Sequence, residues 1–424
     1  MMDFSIQIDD GSEILSQITS EHSEKVFKLH EWQDNAINYF FNNNKRVMFN
    51  IVTGGGKTRV TIEIMKKLYE KEPNLKCLIV VPKNVIMESG WYKELYDNGF
   101  SIPDIGVYYG MAKEYSKITL TNIQSLDKIA LEIFDMIIVD EVHSITKRTL
   151  PLIKLENFKY RIGLSATIER NDNLHWKILE AFDYNKFEYA PKDAIEDEVL
   201  NPFNFYNVGV EVDDSTMDTY EDLTKRLNFI MQAGGGFHKI MKSQDGTKFK
   251  MLALMNKRKQ LINNYERKFD VVRDICERHL GEKIIIFNQF NAQTNKLYWY
   301  LTDCGFRARV VHSGINDHQR EQNLIDYKKG EFDIMLTTKV LDEGVSINAI
   351  SCAIIMAGEA SKKQTIQRMG RVLRKKDKPS DLYQIYCMQT MEQEQAQDRG
   401  KLFKELCLTN IDYTFAKYQE RLFN

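Results

Sequence analysis

The sequence has almost no net charge: 58 Lys and Arg stand against 60 Asp and Glu, a formal charge of −2. Composition alone therefore does not mark it as a binder of polyanions. No apolar run is long enough to cross a bilayer, which sets membrane-spanning readings aside. The opening residues, Met1-Met2-Asp3 and then Asp9-Asp10, lack the basic start and apolar stretch of a signal peptide. The cysteines (77, 276, 304, 352, 387 and 407) include no Cys-x-x-Cys pair, which weakens disulfide and zinc readings. A reducing, cytoplasmic location is expected.

What is present is the balance of a soluble globular protein, 43% hydrophobic and 28% charged over 424 residues, enough for two or three domains. The near-neutral total hides a reversal of charge. Asp193 to Asp222 holds acidic residues and no Lys or Arg, whereas Lys239 to Lys268 is strongly basic. The basic part reads either as a strip over a phosphate track or as a solvated helix face.

Four segments emerge. Residues 1–26 read as an N-terminal appendage, with alternation at Phe4, Ile6 and Ile8 suggesting a strand and 12–18 a helix. Residues 27–189 alternate buried-type strands (Val47–Val52, Cys77–Pro82, Met136–Val139) with helical stretches (Arg59–Tyr69, Val85–Tyr96), the pattern of a parallel sheet covered on both faces. Residues 190–256 break the rhythm and read as a connector. Within it Gly234-Gly235-Gly236 reads as a turn, since no buried strand feeds it, and Phe203, Phe205 and Tyr206 as core in preference to base-stacking platforms. Residues 257–424 resume the alternation, with strands at Lys283–Phe287, Ala308–Val311, Asp333–Leu336 and Cys352–Met356 and a last one at Tyr383–Cys387. Tyr298-Trp299-Tyr300 is placed on a helix packed against the second sheet. The fold class is α/β, two tandem parallel-sheet domains with an appendage and an inserted connector.

Three motifs fall at strand ends, where ligands of open α/β sheets sit. Thr53-Gly54-Gly55-Gly56-Lys57-Thr58 follows a strand and opens a helix. Glycines let backbone N–H groups approach phosphate oxygens, and the helix dipole adds positive potential. Lys57 is placed for the β- and γ-phosphates and the Thr58 hydroxyl for Mg²⁺. The strict pattern G-x-x-x-x-G-K-T fails at its first glycine, because position 51 is Ile. Val139-Asp140-Glu141-Val142-His143 ends another strand, with Asp140 suited to Mg²⁺ and Glu141 to orienting a water. Gln367 opens the stretch Gln367-Arg368-Met369-Gly370-Arg371-Val372-Leu373-Arg374, in which Arg371 and Arg374 can share a helix face as arginine fingers.

In this order the motifs resemble those of superfamily 2 helicases of the DEAH/DEXH type, closest to the xeroderma group B and phage branch-migrating DNA helicases. The resemblance spans about residues 27–390. It implies two RecA-like domains, ATP and Mg²⁺ as nucleotide and metal, and DNA tracked along one strand, branched or forked, by a chain working as a monomer. The host cytoplasm is implied if the chain is phage-encoded. Gln33 resembles an adenine-sensing glutamine, and Asp342 and Gly344 a second-domain ATP sensor. His143, Ser165, Thr167 and Gln367 resemble residues that couple hydrolysis to movement. Lys83, Gln124, Ser125, Asn288, His312, Ser313, Thr337 and Thr338 resemble nucleic-acid contacts. Two alternatives stay open: an RNA helicase, since the Asp-Glu-x-His form serves both substrates, and a nucleotide-gated scaffold without motor activity. The presence of Lys57, Glu141, Arg371 and Arg374 argues against the scaffold.

Overall fold

The computed structural model describes residues 28–82, 87–170, 172–243, 246–338, 350–356, 373 and 378–416. The expected appendage, Lys83, Asp342, Gly344, Gln367, Arg371 and Arg374 lie outside them. Apart from Thr53–Gly55, which group with the second, the chain divides into two compact units that change over between Ala190 and Pro191.

In the first unit, eight described strands form one sheet in the order β4-β3-β5-β2-β6-β7-β1-β8. They are β1 Arg46–Ile51, β2 Cys77–Val81, β3 Ile105–Tyr109, β4 Ala112–Lys113, β5 Ile118–Asn122, β6 Met136–Val139, β7 Tyr160–Ser165 and β8 Lys186–Tyr189. All neighbours are parallel except the β3–β4 pair. Every residue of β2, β5, β6 and β7 is buried, which is why β2 and β6 read as unbroken apolar runs; β5 and β7 bury polar residues as well, Thr119, Thr121 and Arg161 among them. The helix Lys57–Lys71 covers the sheet through Val60, Ile64, Met65 and Leu68, an i, i+4, i+8 stripe. The expected helix over Val85–Tyr96 is in its described part a π-helix, Met87–Tyr92, continued as α-helix over Lys93–Asp97.

The second unit's described sheet has the order β11-β12-β10-β13-β14-β9-β15, all parallel. Its strands are β9 Phe203–Val210, β10 Ile284–Phe287, β11 Ala308–Val311, β12 Ile334–Thr337, β13 Cys352–Ile355, β14 Ser380–Cys387 and β15 Thr409–Phe415. Two expectations are corrected here. Residues 190–256 are not only a connector: β9 lies inside the second sheet, between β14 and β15. Its Phe203, Phe205 and Tyr206 are buried, Tyr206 stacking on Tyr383 with ring centres 4.4 Å apart. Nor is β14 the last strand. The run Thr409–Phe415 alternates polar and apolar residues because it is an edge strand with one face in water.

The rest of that stretch is helical. Helices Asp214–Ala233 and Thr247–Asn263 enclose a small core of Leu227, Ile240 and Met251. The triple glycine is the turn after the first of these, with Gly235 and Gly236 at positive φ. Of the basic strip, Lys257 is exposed, but Arg258 lies over the Tyr220 ring and donates to Thr224 Oγ1 at 3.2 Å. On the helix Asn291–Asp303, Tyr298 and Tyr300 pack on the core as expected, whereas Trp299 is 62% exposed. Beneath the sheet, the ammonium of fully buried Lys268 lies 2.9 Å from both carboxylate oxygens of Glu392, tying the helix Arg267–Arg278 to the helix Met391–Leu406.

Candidate nucleotide site

Strand order turns the sequence motifs into a spatial series. Along the neighbours β5-β2-β6-β7-β1, the carboxyl ends carry Asn122–Ser125, Val81-Pro82, Asp140-Glu141, Ser165–Thr167 and the glycine loop.

The glycine loop leaves β1 and delivers Lys57 to the first turn of its helix. Gly56 has φ +96°, and a Cβ there would stand 2.9 Å from Gln33 Nε2 and 3.9 Å from Trp32 Cζ2. Only glycine adopts that backbone without strain and leaves that space. Gln33 is 5% exposed, and its Oε1 accepts the His30 backbone N–H at 3.0 Å. Neighbouring Trp32 stacks on Tyr189 with centroids 4.0 Å apart. Gln33 thus meets the loop from a helix start.

Lys57 Nζ donates to Glu141 Oε1 at 2.9 Å. Glu141 Oε2 lies 3.1 Å from His143 Nδ1, which in turn lies 2.9 Å from Ser165 Oγ. The Ser165 hydroxyl donates to the Thr167 carbonyl at 2.5 Å and accepts the Thr167 N–H at 3.2 Å. With its own proton committed to that carbonyl, Ser165 is an acceptor toward His143. The imidazole proton therefore sits on Nδ1 and is donated to Ser165, with the Glu141 carboxylate in ion-pair range. This chain joins the loop lysine, the acid of β6 and the loop after β7. Arg170 fastens the same turn, donating to the carbonyls of His143 and, at 2.9 Å, Ile145, and pairing with Asp172 through two bonds of 2.9 and 2.8 Å.

Glu141 holds its place with φ +46°, a left-handed backbone uncommon for a non-glycine residue and frequent at functional sites. Burial pushes its carboxyl up, but the Lys57 ammonium and the His143 hydrogen bond and charge outweigh this, leaving it well below the usual carboxylate range. Asp140 moves the other way: burial raises it, Lys57 lowers it, the Glu141 charge raises it again, and the Trp91 hydrogen bond offsets part of the rise. The two neighbouring carboxyls are thus shifted in opposite directions by their surroundings.

The residues fit a Mg²⁺–nucleotide. Thr53 Oγ1 is buried with no protein partner, in the loop where phosphate oxygens are expected. Among the described residues no cluster of three or more His, Cys, Asp or Glu could hold a metal ion alone. Mg²⁺ usually takes one or two protein ligands together with phosphate oxygens, and Asp140 and Thr58 would supply them.

Of the residues expected at nucleic acid, Gln124 and Ser313 are exposed. Ser125, Asn288, His312, Thr337 and Thr338 are buried. All but Asn288 brace the strand ends. Asn122 Oδ1 accepts the Ser125 N–H at 2.8 Å, and Thr337 Oγ1 donates to Val311 O at 2.9 Å. Thr338 donates to Asn291 Oδ1 at 3.2 Å. His312 accepts the Gly314 N–H on Nδ1 at 3.0 Å, so it donates from Nε2 to Asn295 Oδ1 at 2.8 Å, and burial holds it below the usual imidazole value. Asn288 has both side-chain polar atoms buried without a partner. Sequence reasoning missed Asn291, Asn295 and Trp91, whose indole meets Asp140. An amphipathic pattern marks a helix but not which of its residues turns to a neighbouring strand end.

Two family profiles match. "Type III restriction enzyme, res subunit" covers residues 26–170, and "Helicase conserved C-terminal domain" covers 267–376. The chain belongs to the superfamily 2 helicases. Within them it is related to the XPB group. It is 26% identical over 374 residues to the DNA 3'-5' translocase XPB2 of Sulfurisphaera tokodaii, covering 84% of this chain and 81% of that protein. It is 22% identical over 397 residues to the DNA 3'-5' helicase XPB of Mycobacterium tuberculosis, covering 90% of this chain but only 65% of that protein. The Hef helicase domain of Pyrococcus furiosus superposes with a TM-score of 0.61 at 15% identity, covering 89% of this chain and 98% of that one. Yeast Dbp5 bound to RNA and ADP BeF3 gives 0.62 at 14%, covering 95% and 93%. At these identities the two structures show a shared fold of two parallel-sheet, RecA-like units.

Proposed function

We propose that this protein is an ATP-driven DNA helicase or translocase acting on branched or forked DNA, in branch migration, recombination or repair, and working as a monomer. The observation that carries the reading is the unbroken chain from Lys57 through Glu141 and His143 to Ser165 and Thr167. It joins a phosphate-binding lysine to a loop on a neighbouring strand, so that what happens at a nucleotide is felt at a second surface. DNA as the substrate is supported by the names of the XPB relatives.

In this reading Thr53 and the glycine loop hold the phosphates and Lys57 neutralises them. Thr58 and Asp140 hold Mg²⁺, which supplies charge neutralisation at the transferring phosphoryl group. Glu141, ionised and aimed by His143, orients the attacking water. A phosphate that draws Lys57 toward itself loosens the ion pair with Glu141 and frees that carboxylate for the water. On the sequence alone, Arg371 and Arg374 are proposed as the arginine fingers, Asp342 and Gly344 as the second ATP sensor, and Gln367 as a coupling residue. Lys83, Gln124 and Ser313 are proposed as direct strand contacts, with Ser125, Asn288, His312, Thr337 and Thr338 shaping the loops that present them.

The test is ATP turnover and strand displacement on forks, four-way junctions, D-loops and RNA hybrids, for the wild type and Glu141→Gln. We expect DNA-stimulated hydrolysis and displacement of forked DNA, both lost in the variant while nucleotide binding persists. Stimulation by RNA alone would overturn the choice of DNA. Nucleotide binding without hydrolysis in either protein would favour a gated scaffold.

A further inference from the structure

The carboxylate expected to meet Mg²⁺ is held by a segment that the reaction scheme leaves unused. Trp91, 2% exposed, donates its indole N–H to Asp140 Oδ2 at 2.9 Å. The other oxygen, Oδ1, accepts the backbone N–H of Glu141, also at 2.9 Å. The Asp140 backbone N–H itself donates to Val80 O at 2.8 Å, on β2. Asp140 is therefore fixed by main chain from β2 and by side chain from the helix that follows β2. Each carboxylate oxygen keeps a lone pair free while both are used to set the plane of the group. Trp91 lies in the π-helix Met87–Tyr92, the kind of local widening that recurs at functional sites.

We propose that Trp91 is a positioning residue for the Mg²⁺ site, its indole N–H aiming Asp140 at the metal that accompanies the nucleotide. The proposal rests on the nucleotide reading above and adds to it a residue outside the helicase motifs. Indole is suited to the task. It is a donor only, so it orients a carboxylate without competing for the cation, and its ring fills the buried space that keeps the donor in line. Donors that orient metal-binding carboxylates commonly contribute 10- to 100-fold to metal affinity or activity.

The experiment uses the full-length protein labelled with ¹⁵N in its four tryptophans, Trp32, Trp91, Trp176 and Trp299. Their indole N–H signals are assigned by elimination with Trp32→Phe, Trp176→Phe and Trp299→Phe, which leave position 91 intact. The Trp91 signal is expected to resist solvent exchange, unlike those of Trp176 and Trp299, whose side chains are 60% and 62% exposed. It should shift when Mg²⁺ is added to the ADP-bound protein and stay in place with ADP and EDTA. In parallel, Trp91→Phe should raise the Mg²⁺ concentration that half-saturates binding of fluorescent ADP by about 10- to 100-fold, with metal-free ADP binding unchanged. A purely structural tryptophan would lower thermal stability without moving that Mg²⁺ requirement. If the wild type binds Mg²⁺–ADP but the Trp91 signal does not respond, the proposal falls and the nucleotide reading stands. If the wild type binds no nucleotide under any condition, both fall. The wild-type spectrum decides the matter even if Trp91→Phe fails to fold.

Discussion

Gly56→Ala probes the nucleotide loop most sharply, because two separable costs can be worked out from its surroundings. The backbone at Gly56 has φ +96°, ψ 29°, and holding an L-residue in the left-handed region costs about 1–2 kcal/mol. The new methyl would also stand 2.9 Å from Gln33 Nε2. The glutamine tip can move, but only by giving up its 3.0 Å bond from the His30 N–H, worth about 1 kcal/mol. Both costs fall on the loop shape a nucleotide requires, so they appear in nucleotide affinity more than in global stability. Together they make about 2–3 kcal/mol, a loss of about 30- to 150-fold. Displacing Gln33 should also erode the preference for ATP over GTP.

Titration of fluorescent ADP into the wild type, Gly56→Ala, Gln33→Ala and the double variant separates the two costs. Once Gln33 is gone, the methyl meets only Trp32 Cζ2 at 3.9 Å, an ordinary van der Waals distance, and the backbone cost alone remains. The Gly56→Ala penalty in that background should shrink to about 5- to 30-fold. Should the penalty be the same with and without Gln33, or the single variant bind within threefold of the wild type, the account of this loop is wrong.

His143→Ala should leave ATP hydrolysis measurable while the base pairs opened per ATP fall by about 2- to 30-fold, the span of coupling energies of about 0.5–2 kcal/mol; an unchanged ratio of displacement to hydrolysis would remove His143 from the coupling path. Because the Lys57 ammonium helps hold the Glu141 carboxyl below its usual range, the stability from their pairing is complete above the unfolded carboxyl value of about 4.3 and is lost as pH falls below it. The urea midpoint of Lys57→Met should therefore trail that of the wild type at neutral pH, with the gap closing only below about pH 4. Lys268→Met strands the buried Glu392 carboxylate and should cost about 3–5 kcal/mol in denaturant unfolding, whereas adding Glu392→Gln should recover much of that loss.

The sequence made the first unit legible because its central strands are buried on both faces and end in motifs of narrow chemistry. Val47–Val52, Cys77–Pro82 and Met136–Val139 all appear as strands within a residue at each end. What escaped reading has a physical reason in each case. β9 carries Asn204, Asn207 and Gly209 among its apolar residues. Those asparagines are satisfied sideways, Asn204 by Asp381 and Asn207 by Asp412 and Gln384, partners 177 to 205 residues away. Polar residues paid by such distant partners look like loop composition from the chain alone. β15 lacked the apolar density of an interior strand because it is at an edge. At the site, Lys57 and Glu141 were readable as a pair of roles, but the relay through His143 to Ser165 depends on β6 and β7 being neighbours, which no spacing encodes.

Sheet order also explains why one residue outside the motifs can matter to the site. β2 lies between β5 and β6, so its carboxyl end stands between the strand end bearing Gln124 and the one bearing Asp140. A parallel sheet fixes its strand ends rigidly through the backbone ladder, leaving only side chains and the following turns free to respond to a ligand. On the β6 side, the described responders are the Lys57–Glu141–His143 relay toward β7 and the Trp91–Asp140 bond toward β2. A metal that reorients the Asp140 carboxylate must act on both oxygens, one tied to Trp91 and the other to the Glu141 backbone. Through these two bonds an event at Asp140 reaches the segment after β2 on one side and the left-handed turn at Glu141 on the other. The proposed function needs that two-sided transmission, because in it hydrolysis must be felt both where the nucleotide is cleaved and where the strand is held.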